Sequence, residues 1–507
     1  MNTVRRGRRK SATEQSIDQR PWLQPKLTLE PSRILSDDHI EAIHCKSLRV
    51  LQDIGMDILN VEAREILARA GASVSDQRVR IGHDIIEEAM KTPPAEFTLQ
   101  ARNPDHSIRI GGNWIAFSPV GGPPGCSDLD RGRRPGTLQD NCDFVRLSQF
   151  FNCIHSSGDG AVDALDCHAS VRHLHVMRNK LRLSDKAPFV YSTSRPVLHD
   201  SLEIVRLARG ITEDQMLREP SAYTVINTNS PLKLDDPMGM GVIEMARRGQ
   251  MCVVTPFTLA GAMAPVTLAG ALVQQNAEVL ACLALSQLTK PGAPFVYGSF
   301  TSNVDMKSGA PAFGTPEYMK ACIAGGQLAR RYSLPYRTSS ANAANALDAQ
   351  AAYETMFSLW AAIMAGGNLI IHAAGWMEGG LVASFEKFVL DVELLQMIEA
   401  FLEPIIVDDA TMALDAMEEV GPGGHFFGAA HTMSRYATAF HQPLISDWRN
   451  YHQWVEAGSP EAPEKSNALW KKALAEYREP VMEAEATRAI DTFVERRLAE
   501  GGQPTDF

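Results

Sequence analysis

Four aromatic residues of this 507-residue chain, Phe257, Tyr297, Phe300 and Trp376, fall within or just after short apolar runs, with Tyr191 in a similar place. Rings so placed can enclose a cation, because the ring face attracts positive charge, at about 0.5 to 2 kcal/mol for each well-placed ring. Any one of them is also explained by ordinary packing; the group carries more weight than its members. Arg195 follows an apolar run and Arg337 lies within one, and each can clamp a carboxylate with its planar fork of donors or make a structural ion pair. Aromatic rings with one arginine suit a zwitterion that carries both a quaternary ammonium and a carboxylate. His372 and Glu378, beside Trp376, would shape the same mouth. The polar residues around them are mainly hydroxyls and amides, among them Ser118, Ser192, Asn227, Thr255 and Ser339, with few carboxylates.

Other chemistries fit less well. Cys167, His168, His173 and His175 cluster, but their spacing matches no familiar zinc pattern and none directly follows a strand, so no metal is expected. The segments starting at Gly121 and Gly421 are rich in glycine, yet they lack the glycine spacing of phosphate and dinucleotide loops and are not followed by Lys-Ser/Thr. They are read as turns. No Gly-x-Ser-x-Gly nucleophile motif is present.

The elements that must position these residues are eight compact runs: Ile115–Ser118, Asn152–Ser157, Pro188–Thr193, Tyr223–Thr228, Met251–Thr255, Pro294–Ser299, Pro335–Ser339 and Leu369–Ala373. Most are apolar through the middle, as parallel strands buried on both faces are. Between them the period lengthens: Ala269, Leu272, Val273, Ala277, Leu280, Leu283 and Ala284 mark one helical stripe, and Thr315-Pro316-Glu317 reads as a capped helix start. Strands alternating with helices in this way predict an α/β chain folded as a (β/α)8 TIM barrel, whose chemistry lies just after the strands. Residues 113–390 are assigned to the barrel, 26–112 to a mainly helical N-terminal cap with a hairpin, and 391–507 to a glycine-rich segment and helices packed on the barrel.

Composition bounds the rest. With 45% apolar residues the chain can bury a large core, and its net charge of −11 makes it a poor nucleic-acid binder. The first ten residues hold five basic groups and no acid, but no apolar segment follows, so residues 1–25 are expected to be a disordered basic tail. No stretch is read as reaching the roughly 20 apolar residues of a membrane span. The eight scattered cysteines form no C-x-x-C pair and suit buried free thiols in a reducing compartment, so a cytoplasmic location is expected.

Four segments then occur together: Ile371-His-Ala-Ala-Gly-Trp-Met-Glu-Gly-Gly-Leu381, Pro256 to Thr267, Gln274 to Glu278, and Gly421 to Gly428 with His431-Thr432. In this order they resemble the trimethylamine methyltransferase family over nearly the whole chain beyond the basic tail. The resemblance implies a (β/α)8 barrel that takes a methyl group from a methylated amine and passes it to the Co(I) centre of a separate corrinoid protein. No tightly bound cofactor is implied, and a homo-oligomer is expected. Founding members that use trimethylamine carry pyrrolysine at the barrel mouth. The stretch aligned with that site, Ser339 to Asp348, contains only standard residues, so the chain is more similar to the branch that demethylates quaternary amines such as glycine betaine. A quaternary nitrogen leaves as a neutral amine without prior protonation, so orientation and a cation-tolerant cage matter more than a strong acid. The carbon acceptor tetrahydrofolate in place of the corrinoid, and a betaine-binding paralogue without turnover, are the competing readings.

Overall fold

A computed structural model of the protein describes residues 16–158 and 160–504. Its centre is a six-stranded, wholly parallel sheet. In chain order the strands are β1 (Ala116–Phe117), β2 (Tyr223–Ile226), β3 (Met251–Val254), β4 (Phe295–Gly298), β5 (Tyr336–Ser339) and β6 (Leu369–Ile371). They lie in the order β1-β6-β5-β4-β3-β2. Helices on the outer face include Arg195–Arg209, Asp236–Arg247, Leu268–Thr289, Pro316–Arg331 and Ala349–Met364, which separate successive strands. The start read at Thr315 is realised: its hydroxyl accepts from the Tyr318 N–H at 3.2 Å, with Pro316 in the first helical position.

Two of the eight runs do not form regular strands. Asn152–Ser157 and Pro188–Thr193 join their neighbours only through single parallel bridges, Ser156 to Ala187 and Phe189 to Tyr223. Local chemistry explains the loss of ladder. Pro188 has no N–H to give, and the Phe117 N–H donates to the imidazole Nδ1 of His155 at 3.1 Å instead of to a main-chain carbonyl. The His155 N–H still reaches the Phe117 carbonyl at 2.8 Å.

Alternation along the strands sorts the side chains into two sets. Ala116, Tyr223, Val225, Met251, Val253, Val296, Leu369 and Ile371 meet one another on the concave side of the sheet. Cys252, Val254, Phe295, Tyr297 and Tyr336 face the helices. The helix Leu268–Thr289 corrects the expectation about membrane spans: its 22 residues, with a mean hydropathy of 1.4 over the most apolar 18, meet the length and composition of one. It is a core helix here, with 78% of its most apolar window buried inside the protein.

The N-terminal region holds helices Asp37–Arg49, Val61–Arg69 and His83–Ala89, and the hairpin Glu96–Leu99 with Ile108–Gly111. The tail expected over 1–25 needs correction from residue 16 onward; residues 1–15 lie outside the described residues. Ile17 is buried, the Gln24 side chain exchanges hydrogen bonds with the Arg109 backbone at 2.8 and 2.9 Å, and Trp22 packs against His106 and His155. Two large apolar side chains and a paired amide tie the segment down. At the other end, helices Ala462–Glu476 and Ala484–Ala499 pack on the body. The glycine-rich part does not sit on the barrel as expected: no side chain of residues 404–443 enters a hydrophobic cluster of the body.

Candidate functional site

The inward-facing positions of successive strands continue past the strand ends, and there they enclose a cavity of about 580 Å³. Phe257 extends β3, Phe300 extends β4, Arg337 sits in β5, and His372 and Trp376 follow β6; all five line it. The rings form a contiguous set: centroids lie 5.3 Å apart for Phe257 and Phe300, 6.1 Å for Phe300 and Trp376, and 4.0 Å for His372 and Trp376. Phe313 stacks behind Phe300 at 5.1 Å. On the floor, Tyr223 shares a hydrogen bond of 3.0 Å with Ser118, and the Ser156 hydroxyl donates to Ser118 Oγ at 2.7 Å.

Arg337 is the only charged residue of the described lining, which contains no carboxylate. Its guanidinium lies 5.5 Å from the Phe300 ring, and Nε and Nη1 are buried without a hydrogen-bond partner among the described residues. Burial pulls its pKa down to about 10, which leaves it a cation at neutral pH. Two unpaired donors on a buried cation are costly unless a ligand supplies acceptors. Burial, with the nearby Arg337 charge, pushes the His372 imidazole well below its usual range, so that ring is neutral. His372 has a φ of +60°, in the left-handed region, between tied neighbours: the Ser340 N–H donates to Ile371 O and the Ala373 N–H to Ser118 O.

A buried polar chain holds Trp376. Its indole N–H donates to Asn342 O at 3.0 Å, and Asn342 Nδ2 donates back to Trp376 O at 2.6 Å and to Thr355 Oγ1 at 3.2 Å. Lys387 Nζ donates to Thr355 Oγ1 at 2.9 Å and pairs with Asp391, whose carboxylate also accepts from the Gly375 N–H at 2.8 Å. Gly380 lies against the indole: a Cβ there would come within 2.5 Å of Trp376 Cη2, and its φ is +103°. Below the loop after β2, the buried Glu278 carboxylate accepts from Thr228, Ser230 and the Leu232 N–H.

Three proposed residues lie elsewhere. Tyr297 precedes an inward position by one residue, so its ring turns outward, where its hydroxyl donates to Asn276 at 3.1 Å. Arg195 opens a helix and pairs with Glu62 and Glu244 at 3.0 and 2.7 Å, which realises the structural alternative. Glu378 stands at the rim, but its carboxylate turns to Arg133 at 3.0 Å. Tyr191 packs at 5.1 Å from the Lys180 ammonium, also outside the lining. His425 and His431 do not reach the cavity. Reading strand ends alone overlooked Phe189, Tyr223 and Met263, which line it. For Phe189 and Tyr223 the available signal was parity along the runs.

A profile of the trimethylamine methyltransferase family matches residues 2–502. The chain belongs to this family. Among its relatives, the glycine betaine methyltransferase of Desulfitobacterium hafniense (strain Y51) is 35% identical over 471 residues, covering 93% of this chain and 98% of that protein. The trimethylamine methyltransferase of Desulfitobacterium hafniense (strain DSM 10664 / DCB-2) is 29% identical, over 92% and 94% of the two chains. The crystal structure of the Methanosarcina barkeri monomethylamine methyltransferase superposes with a TM-score of 0.48 at 10% identity, covering 88% of each chain.

Proposed function

We propose that the protein is a methyltransferase that takes a methyl group from a quaternary amine bearing a carboxylate, glycine betaine or a similar molecule, and passes it to the Co(I) centre of a corrinoid protein. The observation that carries this reading is Arg337: a buried cation with two donors unpartnered among the described residues, inside an aromatic cavity that has no acid among its described lining. The carboxylate would take the guanidinium donors, and the trimethylammonium would lie against the rings of Phe257, Phe300 and Trp376. Neutral His372 shapes the wall beside Trp376 without repelling the cation.

A Co(I) corrinoid on the partner protein would supply the nucleophile: the N–C bond would break with its electron pair on nitrogen, the methyl carbon would pass to the cobalt, and a neutral dimethylated amine would leave. No proton has to be delivered, which accords with a lining without carboxylates. The residues of the chain orient and exclude water; the corrinoid supplies the nucleophile. Gly121, Gly122, Gly379 and Gly380 add no side chains to the cavity wall. Supporting a cytoplasmic setting are the eight free cysteines. We also read the sheet as a closed (β/α)8 ring, on the support of the His155 N–H bond to Phe117 O and the Ser156–Ala187 and Phe189–Tyr223 bridges, which together run from β1 to β2.

The test is methyl transfer by purified protein from glycine betaine to Co(I) cobalamin, beside the same donor with tetrahydrofolate. Methylcobalamin with the first acceptor alone is expected. Transfer to tetrahydrofolate alone would replace the acceptor, and betaine binding by calorimetry without transfer to either would favour a non-catalytic binder.

A further inference from the structure

Residues 404–443 leave the body at the end of the helix Phe385–Leu402, and the chain returns at Leu444 and Ile445, whose N–H groups donate to Glu393. Between these points every hydrogen bond of the segment among the described residues is made within the segment itself. It is nonetheless apolar. Eleven large hydrophobic side chains in it are exposed, and Ile405, Val407, Leu414, Phe427, Tyr436 and Phe440 are between 64% and 90% so. Side chains of this kind present about 150 to 250 Å² each when aromatic, so covering the segment would bury on the order of 1,000 Å². A single chain in water rarely displays that much contiguous apolar surface.

A second bare surface begins where this arm begins. On Ala349–Met364, Tyr353 and Phe357 share one face and remain 54% and 49% exposed; on Phe385–Leu402, Met397 and Phe401 do the same at 42% and 50%. Trp360 and Phe401, with ring centroids 5.1 Å apart, join the two helices into one patch. The arm leaves its own patch uncovered.

We infer that the arm of one copy lies on the Tyr353–Phe401 patch of a second copy of this chain, and the reverse, in a dimer with arms exchanged about a two-fold axis. Arm and patch are both apolar and both carried by every copy. The arm begins three residues after Phe401, so an axis beside that residue brings each arm to the other's patch in one self-complementary interface. The area exceeds the about 800 Å² per partner of a standard stable interface. This inference does not depend on the substrate reading.

Light scattering of the full chain at micromolar concentration should give at least twice its 55.6 kDa. The variant Phe427→Asp/Phe440→Asp should fall to the mass of one chain with an unchanged circular dichroism spectrum. As a second measurement, p-benzoylphenylalanine in place of Phe440, photolysed in a mixture of 14N and 15N protein, should give mixed-label cross-links to helices 349–364 or 385–402. A single-chain mass for the unaltered protein, or cross-links of one label only, would overturn the exchange; so would mixed-label cross-links confined to other surfaces.

Discussion

At the scale of single residues, substrate recognition turns on Arg337, two of whose buried donors have no partner among the described residues. Arg337→Met removes the donors meant for the substrate carboxylate; hydrogen bonds to charged groups are worth about 1.5 to 3 kcal/mol, so KM for glycine betaine should rise roughly 10- to 100-fold with the fold intact. The pH dependence follows from the same groups. Arg337 binds a carboxylate only while protonated, and its pKa has been drawn down to about 10, so affinity should hold from pH 6 to 9 and decline as pH rises through about 10. His372 is pushed in the same direction, already neutral over that range, and should add no inflection there. Titration of binding by calorimetry checks both. Arg337, Phe257, Phe300, His372 and Trp376 were readable from the sequence because they lie within or just past apolar runs, and family motifs coincide with that position for Phe257, His372 and Trp376. Tyr297, Arg195 and Glu378 were not: side-chain parity turns the first outward, and Glu62, Glu244 and Arg133 occupy the other two through contacts distant in sequence.

At the scale of elements, the loop after β6 is fixed from behind. Asp391 accepts from Gly375 and pairs with Lys387, whose other contact, Thr355, reaches Asn342 and so Trp376. Asp391→Asn would leave the Lys387 ammonium buried and poorly paired, at a cost of about 3 to 5 kcal/mol, read as a lower urea midpoint. It should also alter Trp376 fluorescence and lower kcat. The double variant Lys387→Met/Asp391→Leu, with neither charge, should regain most of the stability. If Asp391→Asn shifted stability alone and left fluorescence and kcat unchanged, the chain of contacts would have no positioning role. The hydrophobic runs identified the six strands of the sheet, since continuous apolar stretches are what buried parallel strands require. They could not separate a strand from a bridged loop at Asn152–Ser157 and Pro188–Thr193, where a proline and an imidazole acceptor break the ladder.

At the scale of the whole molecule, periodicity gave the alternation of strands and helices but not which apolar side chains stay uncovered. Ile405 and Phe440 look no different in sequence from residues of a core; only the folded arrangement leaves them in solvent. The same limit applied to Leu268–Thr289, where length and hydropathy permit a span and burial among the other helices decides its place. The claim that joins all three scales is that the cavity recognises a methylated cation together with a carboxylate. Its most direct measurement is kcat/KM for methyl transfer to Co(I) cobalamin from glycine betaine and from choline, which shares the trimethylammonium and lacks the carboxylate. Glycine betaine should give dimethylglycine and methylcobalamin in equal amounts, and choline a kcat/KM at least about tenfold lower. Equal values for the two donors, or no methylcobalamin from any quaternary amine, would contradict it.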